Sequence, residues 1–278
     1  ATIETAVTAT KRGAYDFLAK PFTPEELKAT TAKTARHLLL RREAKRLAEE
    51  KRQVRFQFIS VLAHELKAPL AAVEGYLQLL RDRVVEPGSA KSDEVLGRSL
   101  LRIEGMRKLI GDILDLTRIE SGQKKRELAD VDVREIAARA VETAQPAARA
   151  RQITIEVQGP ERLPMRADPG EVEIIFNNLV SNAVKYNREG GRVEVGLSES
   201  DQAVVIRVAD TGIGMSPEEV AQLFGEFVRI KNTKTRNVMG SGLGLSILKK
   251  LAALYDGTVQ VQSTPDVGTT FTVTLKQT

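Results

Sequence analysis

The stretch FISVLAHELKAPLAAVEGYLQLL, residues 58–80, carries apolar side chains at steps of three and four, the spacing of an amphipathic helix. The apolar stripe consists of Phe58, Leu62, Leu66, Leu70, Val73, Leu77 and Leu80. His64 lies two residues from both Leu62 and Leu66, which turns it away from that stripe because successive helical residues are about 100° apart. The histidine is therefore predicted to face solvent.

Pro69 is an unusual residue for a helix interior because it lacks the amide that would donate to the carbonyl of Glu65. Such a proline is predicted to bend the helix and costs about 3 kcal/mol or more without compensation. A lone helical histidine is ordinarily a surface residue without a function. A strained segment beside an exposed imidazole and a carboxylate favours a reaction centre instead. Glu65 can hydrogen-bond one ring nitrogen and accept its proton, which leaves the other nitrogen as nucleophile.

Composition restricts the classes of function. A chain of 278 residues with 42% hydrophobic residues predicts two or three structural units. There is no cysteine and only two histidines, His37 and His64, which excludes thiol chemistry, disulfides and histidine-rich metal sites. No apolar run approaches the ~20 residues of a membrane helix, so we expect a cytoplasmic chain without a membrane segment. The net charge of +5 concentrates in one helical stretch and aromatics are only 4%, so nucleic-acid binding is not predicted.

Two long helices are predicted in the first 120 residues. One runs from a cap at Thr23-Pro24 to about Arg83, and its apolar residues between 40 and 61 have coiled-coil spacing, interrupted by Lys51. Pro87-Gly88 ends it. Ser92 can cap a second helix, whose apolar stripe is Leu96, Leu100, Ile103, Ile110 and Leu114. A single hairpin leaves its apolar faces uncovered, which predicts a four-helix bundle made by a dimer.

After residues 121–123 the pattern changes to strands interspersed with helices. Helices are predicted at 132–150, 169–187 and 243–255, and strands at 153–157, 192–197, 203–210, 258–263 and 269–275. This order indicates an α/β sandwich, with one sheet covered on one side by helices.

Three stretches of this half carry candidate binding groups. Asn178, Asn182 and Lys185 share one helical face, and amide oxygens suit a hard cation such as Mg²⁺. Asp210 ends a strand and is followed by Gly212 and Gly214, which allow a flat ligand to approach the backbone. The glycines at a helix N-terminus, where free amides favour phosphate, are Gly240, Gly242 and Gly244. Singly, such groups are as often caps or turns, but their order reinforces the functional interpretation.

These motifs together resemble a two-component sensor histidine kinase. HELKAP (64–69) resembles the phospho-acceptor box, NNLVSNAVKY (177–186) the N box, DTGIGM (210–215) and GSGLGLSI (240–247) the two glycine boxes, and FGEFVR (224–229) the F box. The resemblance covers about residues 54–276. It implies a dimerisation and phosphotransfer hairpin, followed by an ATP-binding domain of the gyrase, Hsp90, histidine kinase and MutL type.

The resemblance also implies residue roles. His64 would be phosphorylated, Glu65 would be the general base, and Asn182 would be the Mg²⁺ ligand, helped by Asn178. Asp210 would receive the adenine amino group. The remaining nucleotide-binding positions would be Lys185, Tyr186, Gly212, Gly214, Arg229, Gly240, Gly242, Leu243 and Gly244. The polar segment 229–239 would be a lid that is mobile without nucleotide.

Two positions depart from the common family pattern. Lys67 replaces an arginine, which is a mild change. Ala68 replaces the Thr or Asn that orients a water against the phosphorylated partner in bifunctional relatives, and alanine offers no hydrogen bond. The resemblance therefore predicts a competent kinase with weak phosphatase activity.

Residues 6–27 resemble the closing helix, strand and helix of a response-regulator receiver domain, with Phe17 and Lys20-Pro21 at family positions. A chance helix–strand–helix linker is the alternative. If the resemblance holds, the strand at 15–19 has lost its sheet, and the chain is expected to come from a longer protein with a receiver upstream.

The predicted domains are a partial receiver (1–27), a coiled-coil linker (28–53), the dimerisation and phosphotransfer domain (54–122) and the catalytic domain (123–278). The predicted function is that of a homodimeric kinase that uses ATP and Mg²⁺ to phosphorylate His64 and then a receiver aspartate. The alternatives are a nucleotide-binding scaffold without catalysis, and an ATPase of the same superfamily that moves a clamp or phosphorylates serine.

Overall fold

The computed structural model describes residues 7–9, 11–121, 126–225, 227–230, 235 and 240–276. It consists of two compact units, residues 1–65 and 66–278. Within the described ranges, no helix combines the length and the apolar character that crossing a membrane requires.

The first unit consists mainly of helix α1 (Pro24–Arg81), which continues into the second unit. The predicted cap is confirmed: the Glu26 amide donates to Thr23 Oγ1 at 3.2 Å, and the Thr23 amide donates to the Glu26 carboxylate at 2.8 Å. This reciprocal pair is a capping box, which satisfies two amides that the first turn leaves free. The helix remains unbroken through Pro69.

The segment before α1 does not form the strand predicted at 15–19. Tyr15 stacks on His37 with ring centroids 3.9 Å apart, and Lys33 Nζ donates to Asp16 Oδ2 at 2.8 Å. The described residues of this unit include no strand with which residues 15–19 could pair, so the segment packs on α1 instead. The receiver-domain resemblance of residues 6–27 stays a prediction.

The second unit begins with the last 16 residues of α1, and helix α2 (Ala90–Ser121) follows after a short connection. The predicted cap at Ser92 is wrong. Ser92 lies inside α2, and its amide donates to Ser89 Oγ at 3.2 Å. The helix begins earlier because Ser89, directly after Gly88 at φ 76°, already offers the capping oxygen.

The apolar stripe predicted on α2 is exposed in the single chain. Leu100 is 66% exposed and Ile103 39%, and Leu96, Ile110 and Leu114 fall between these values. A different face of α2, which includes Val95, Ser99, Leu109 and Leu116, is buried within the chain. The predicted stripe is therefore left for contacts that the single chain does not make.

The remainder of the chain forms an α/β sandwich, as predicted. Its elements are β1 (Ala129–Asp132), α3 (Val133–Ala150), β2 (Thr154–Gln158), β3 (Pro164–Ala167), α4 (Pro169–Lys185), β4 (Arg192–Ser200), β5 (Ala203–Asp210), α5 (Pro217–Gln222), α6 (Gly244–Leu254), β6 (Thr258–Thr264) and β7 (Gly268–Lys276). The main sheet has the order β2-β4-β5-β7-β6, and only β2 and β4 are parallel. Strands β1 and β3 form a separate antiparallel pair. Elements β1, β3 and α5 were not predicted from the sequence, because they are too short to show a hydrophobic period.

The core lies between the sheet and helix α4. Alternate residues of β4, Val193 and Val195, are fully buried, while the residues between them are more exposed. The apolar stripe of α4 consists of Val172, Ile175, Leu179 and Ala183, which are at most 3% exposed. Asp168 caps this helix by accepting from the amides of Gly170 and Glu171. Because the apolar face of α4 is buried against the sheet, its polar face is directed toward a cavity.

A buried polar cluster ties the start of this domain to two helix ends. The guanidinium of Arg126 donates to both carboxylate oxygens of Glu171 at 2.9 to 3.2 Å, and Glu171 is only 2% exposed. The Tyr255 hydroxyl donates to Glu171 at 2.6 Å and accepts from the Asp168 amide at 3.0 Å. Arg126 also lies 4.4 Å from the Tyr255 ring centroid. A buried carboxylate is tolerable here because the Arg126 guanidinium and the Tyr255 hydroxyl both donate to it.

Replacing Arg126 with methionine is expected to lower the free energy of unfolding by about 3 kcal/mol, because the Glu171 carboxylate stays buried without its cation. Urea unfolding followed by circular dichroism measures the loss. The matched control is Arg162→Met: that guanidinium lies 3.6 Å from Asp132 but is 86% exposed, so about 0 to 1 kcal/mol is expected. Equal losses in the two variants would contradict the assigned role of the cluster.

Candidate functional site

One cavity collects most of the predicted binding residues. Those that line it are Asn178, Asn182, Lys185, Tyr186, Asp210, Gly214, Arg229, Gly240, Gly242 and Gly244. Gly212 lies directly beside Asp210, and Leu243 is fully buried just before α6. His64 and Glu65 belong to the first unit, where His64 is exposed on α1, as predicted.

Helix α4 contributes amide groups to one wall. The Asn178 side-chain nitrogen donates to the Ile174 carbonyl at 2.9 Å, which directs the side-chain oxygen away from the helix backbone. That oxygen lies against Gly244, where a Cβ atom would overlap it. The glycine at the first position of α6 thus allows the two helices to approach around the Asn178 amide.

A buried carboxylate defines one end of the cavity. Asp210 ends strand β5 and accepts from the Gly212 amide at 2.8 Å. Burial raises the pKa of the Asp210 carboxyl to about 6, because an apolar environment penalises its charged form. The apolar lining residues are Ile213, Met215, Leu223, Val228, Ile230, Leu245 and Phe271. An acceptor among apolar walls suits a flat ring that donates a hydrogen bond.

A Cβ atom at position 212 would overlap the carbonyl oxygen of Tyr186 and would lie 2.7 Å from Asp210 Oδ1. The backbone after β5 therefore passes too close to the end of α4 for any other residue. This close approach is the physical reason for the first glycine of the 210–215 motif.

Cations gather elsewhere on the lining. Lys185, Arg229 and Lys108 all line the cavity, and Lys185 Nζ lies 5.0 Å from the Tyr186 ring centroid. Burial, together with the charges of Lys108 and Arg229, lowers the pKa of Lys185 to about 8. Like charges held together in this way are stabilised by a ligand with several negative charges.

The described residues contain no group of three or more His, Asp or Glu side chains that could enclose a metal ion. The amide oxygens of Asn178 and Asn182 remain, next to the cationic lining. This donor set fits Mg²⁺, which keeps most of its waters and binds largely through substrate phosphates.

Five polar lining residues were not predicted from the sequence: Lys108 and Asp112 of α2, Thr235, Ser241 and Thr269. Lys108 and Asp112 are four residues apart on the polar side of α2, a spacing that surface helices often show. No motif marks them, and only the packing of α2 against this domain brings them to the cavity. Residues 231–234 and 236–239 of the predicted lid lie outside the described residues, so its mobility stays a prediction.

Adenosine affinity is expected to fall about tenfold from about pH 7 to about pH 5. The resemblance implies that the Asp210 carboxylate accepts the adenine amino group, and its pKa is raised to about 6, so acid converts it to the neutral form. Isothermal titration calorimetry measures the affinity. Asp210→Asn keeps an acceptor oxygen but does not titrate, so its affinity should not vary over this range. An unchanged wild-type affinity at the lower pH would contradict the assignment.

Two domain families match this chain. Residues 54–122 match the family described as His Kinase A (phospho-acceptor) domain, and residues 167–278 match Histidine kinase-, DNA gyrase B-, and HSP90-like ATPase. A curated relative, the circadian input-output histidine kinase CikA of Synechococcus elongatus, is 33% identical over 234 residues, which cover 83% of this chain and 31% of CikA. The chain therefore spans about a third of the length of that relative.

Two solved structures are also similar to this chain. Full-length ShkA in complex with AMPPNP is 30% identical, with a TM-score of 0.57 over 78% of this chain and 45% of that one. The histidine kinase ThkA in complex with the response regulator protein TrrA has a TM-score of 0.61 at 20% identity, over 80% of this chain and 61% of that one, and shows the fold alone. The two domain matches and the relatives support a two-component sensor histidine kinase, and the ATPase family implies ATP binding.

Proposed function

We propose that this chain is the catalytic portion of an ATP-dependent protein histidine kinase that phosphorylates its own His64. The observation that carries the proposal is the cavity, which combines a buried acceptor, apolar walls, three cations and two amide side chains. An adenine ring with an exocyclic amino group fits the Asp210 end. A triphosphate fits the cationic lining.

The reaction needs positioning and charge neutralisation more than covalent help from the protein. One ring nitrogen of His64 forms a bond to the terminal phosphorus of ATP as the bond to ADP breaks. Glu65 holds the other ring nitrogen and takes the proton that this nitrogen loses. Lys185 and Arg229 bind the phosphate oxygens. Asn182, helped by Asn178, would hold Mg²⁺, and the ion would supply positive charge to neutralise the phosphates.

The proposed assembly is a homodimer. Support comes from α2, whose predicted apolar stripe stays exposed in the single chain, as do Leu70 and Leu77 on α1, which are 49% and 51% exposed. Exposed apolar rows on adjacent helices are ordinarily covered by a partner, and a second hairpin is the simplest one. The proposed recipient of the phosphoryl group is a receiver-domain aspartate. We also propose that the chain is located in the cytoplasm.

Replacing His64 with glutamine is expected to reduce phosphate incorporation from labelled ATP at least about 100-fold, because the nucleophile is lost. The wild-type phosphate should be acid-labile and base-stable, as a phosphohistidine is and a phosphoserine is not. His37→Gln is the matched control, since His37 is the only other histidine and stacks on Tyr15. Full incorporation by His64→Gln would overturn the proposal, and no incorporation by wild type would favour a scaffold.

Ala68→Thr is expected to speed dephosphorylation of a phosphorylated receiver about tenfold or more, because the new hydroxyl can orient a water. Loss of label from a receiver that the wild type phosphorylates is the measurement. Ala71→Thr adds the same side chain at another exposed alanine of α1 and should change nothing. Robust dephosphorylation by the wild type would contradict the predicted weak phosphatase activity.

A further inference from the structure

Helix α2 of the hairpin contacts the glycine-rich loop that precedes α6. The Ser241 hydroxyl donates to Asp112 Oδ2 at 2.5 Å, and Ser241 Oγ accepts from the Leu243 amide at 3.2 Å. An ion pair between Lys250 of α6 and Glu120 of α2 forms a further contact between the hairpin helix and this domain. The hairpin helix is thus attached to the loop by a carboxylate that itself lines the cavity.

Asp112 lies in the cationic part of the lining. The charges of Lys108 and Lys185 both act on its carboxylate, and burial raises its pKa. The Asp112 carboxylate is in turn one of the groups that act on the charge of Lys185. Asp112 therefore contacts the 240–244 loop directly and acts electrostatically on Lys185, and both of these bind phosphate in the proposed function.

We propose that Asp112 is a specificity-determining residue that makes the cavity discriminate against nucleotides according to the charge of their phosphates. The proposal rests on the proposed function, because it takes the ligand to be an adenine nucleotide. A carboxylate and a triphosphate compete for the same cations and repel each other in a partly buried site. The penalty is absent for adenosine, moderate for ADP and largest for ATP.

The same competition links the nucleotide to the hairpin. A triphosphate favours the arrangement in which Asp112 has left Ser241, since that separation relieves the repulsion. By reciprocity, the Asp112–Ser241 contact lowers the affinity for ATP by the factor by which ATP weakens the contact. Product ADP, with less charge, permits the contact to form again. The pocket-lining face of α2 then senses which nucleotide is bound.

Asp112→Asn tests the proposal, because asparagine keeps the size and an acceptor oxygen for Ser241 but removes the charge. Calorimetry with Mg²⁺ measures the affinities for adenosine, ADP and the non-hydrolysable analogue AMPPNP. We expect adenosine to bind as in wild type, ADP to bind about threefold tighter and AMPPNP about tenfold tighter. The control is Glu120→Gln, which removes a charge from the contact between α2 and α6. Glu120 does not line the cavity, so the affinities for all three ligands should stay as in wild type.

Each outcome has a distinct meaning. An AMPPNP affinity that is unchanged in Asp112→Asn would overturn the proposal. A weaker AMPPNP affinity would also overturn it and would indicate that Asp112 is a magnesium ligand. An equal gain in Glu120→Gln would also overturn it, because loss of docking rather than local charge would then be the cause. Adenosine affinity reports that the pocket is folded in each variant. Failure of the wild type to bind any of the three ligands would instead overturn the proposed function.

Discussion

Helix α4 can bury only one of its faces, and the rest of the site depends on that constraint. Its apolar stripe packs against the sheet, where Val172 and Ile175 are completely buried. The amide and ammonium groups of Asn178, Asn182 and Lys185 are then directed to the cavity. The cap at Asp168 fixes where the helix begins, and Gly244 allows α6 to approach Asn178. A shift of register in α4 would move these three polar lining residues at once.

The two kinds of charged group in the cavity, a carboxyl and an ammonium group, lie in different environments. Asp210 is surrounded by apolar side chains, which raise its pKa toward 6 and favour a neutral hydrogen-bond donor as its partner. Burial and two nearby cations lower the pKa of Lys185, and the concentration of positive charge favours an anion. A ligand that satisfies both must carry a flat donor-bearing ring and a group with several negative charges. Adenine nucleotides have this combination, which is why the geometry and the family matches agree.

Helix α2 has three kinds of surface, and each has a different environment. Val95, Leu109 and Leu116 are buried within the chain, whereas the stripe that includes Leu100 stays exposed. Asp112 reaches the nucleotide cavity and contacts Ser241. One helix is thereby connected to the domain core, to the proposed dimer interface and to the proposed phosphate site. Such a helix can transmit a change at one surface to the others without any large change in its own structure.

Much of this architecture follows from local order in the sequence. The amphipathic periods predicted the long helices and α4, alternation predicted the five strands of the main sheet, and the glycine motifs predicted the loops around Asp210 and Gly244. These signals are local, because burial of one face and close approach of backbone leave a mark on neighbouring residues. Strands β1 and β3 have four residues each and helix α5 has six, so these elements are too short to show a periodic pattern.

The sequence by itself determined that His64 faces solvent and that Asn178, Asn182 and Lys185 share one face of a helix, because the helical period fixes which side chains lie on the same side. Only the tertiary structure decided that residues 15–19 pack on α1 rather than form a strand, and that Asp112 meets Ser241, 129 positions away. Contacts between distant segments depend on how whole faces pack, and a side chain on the polar face of a helix carries no sequence signal of what it will meet.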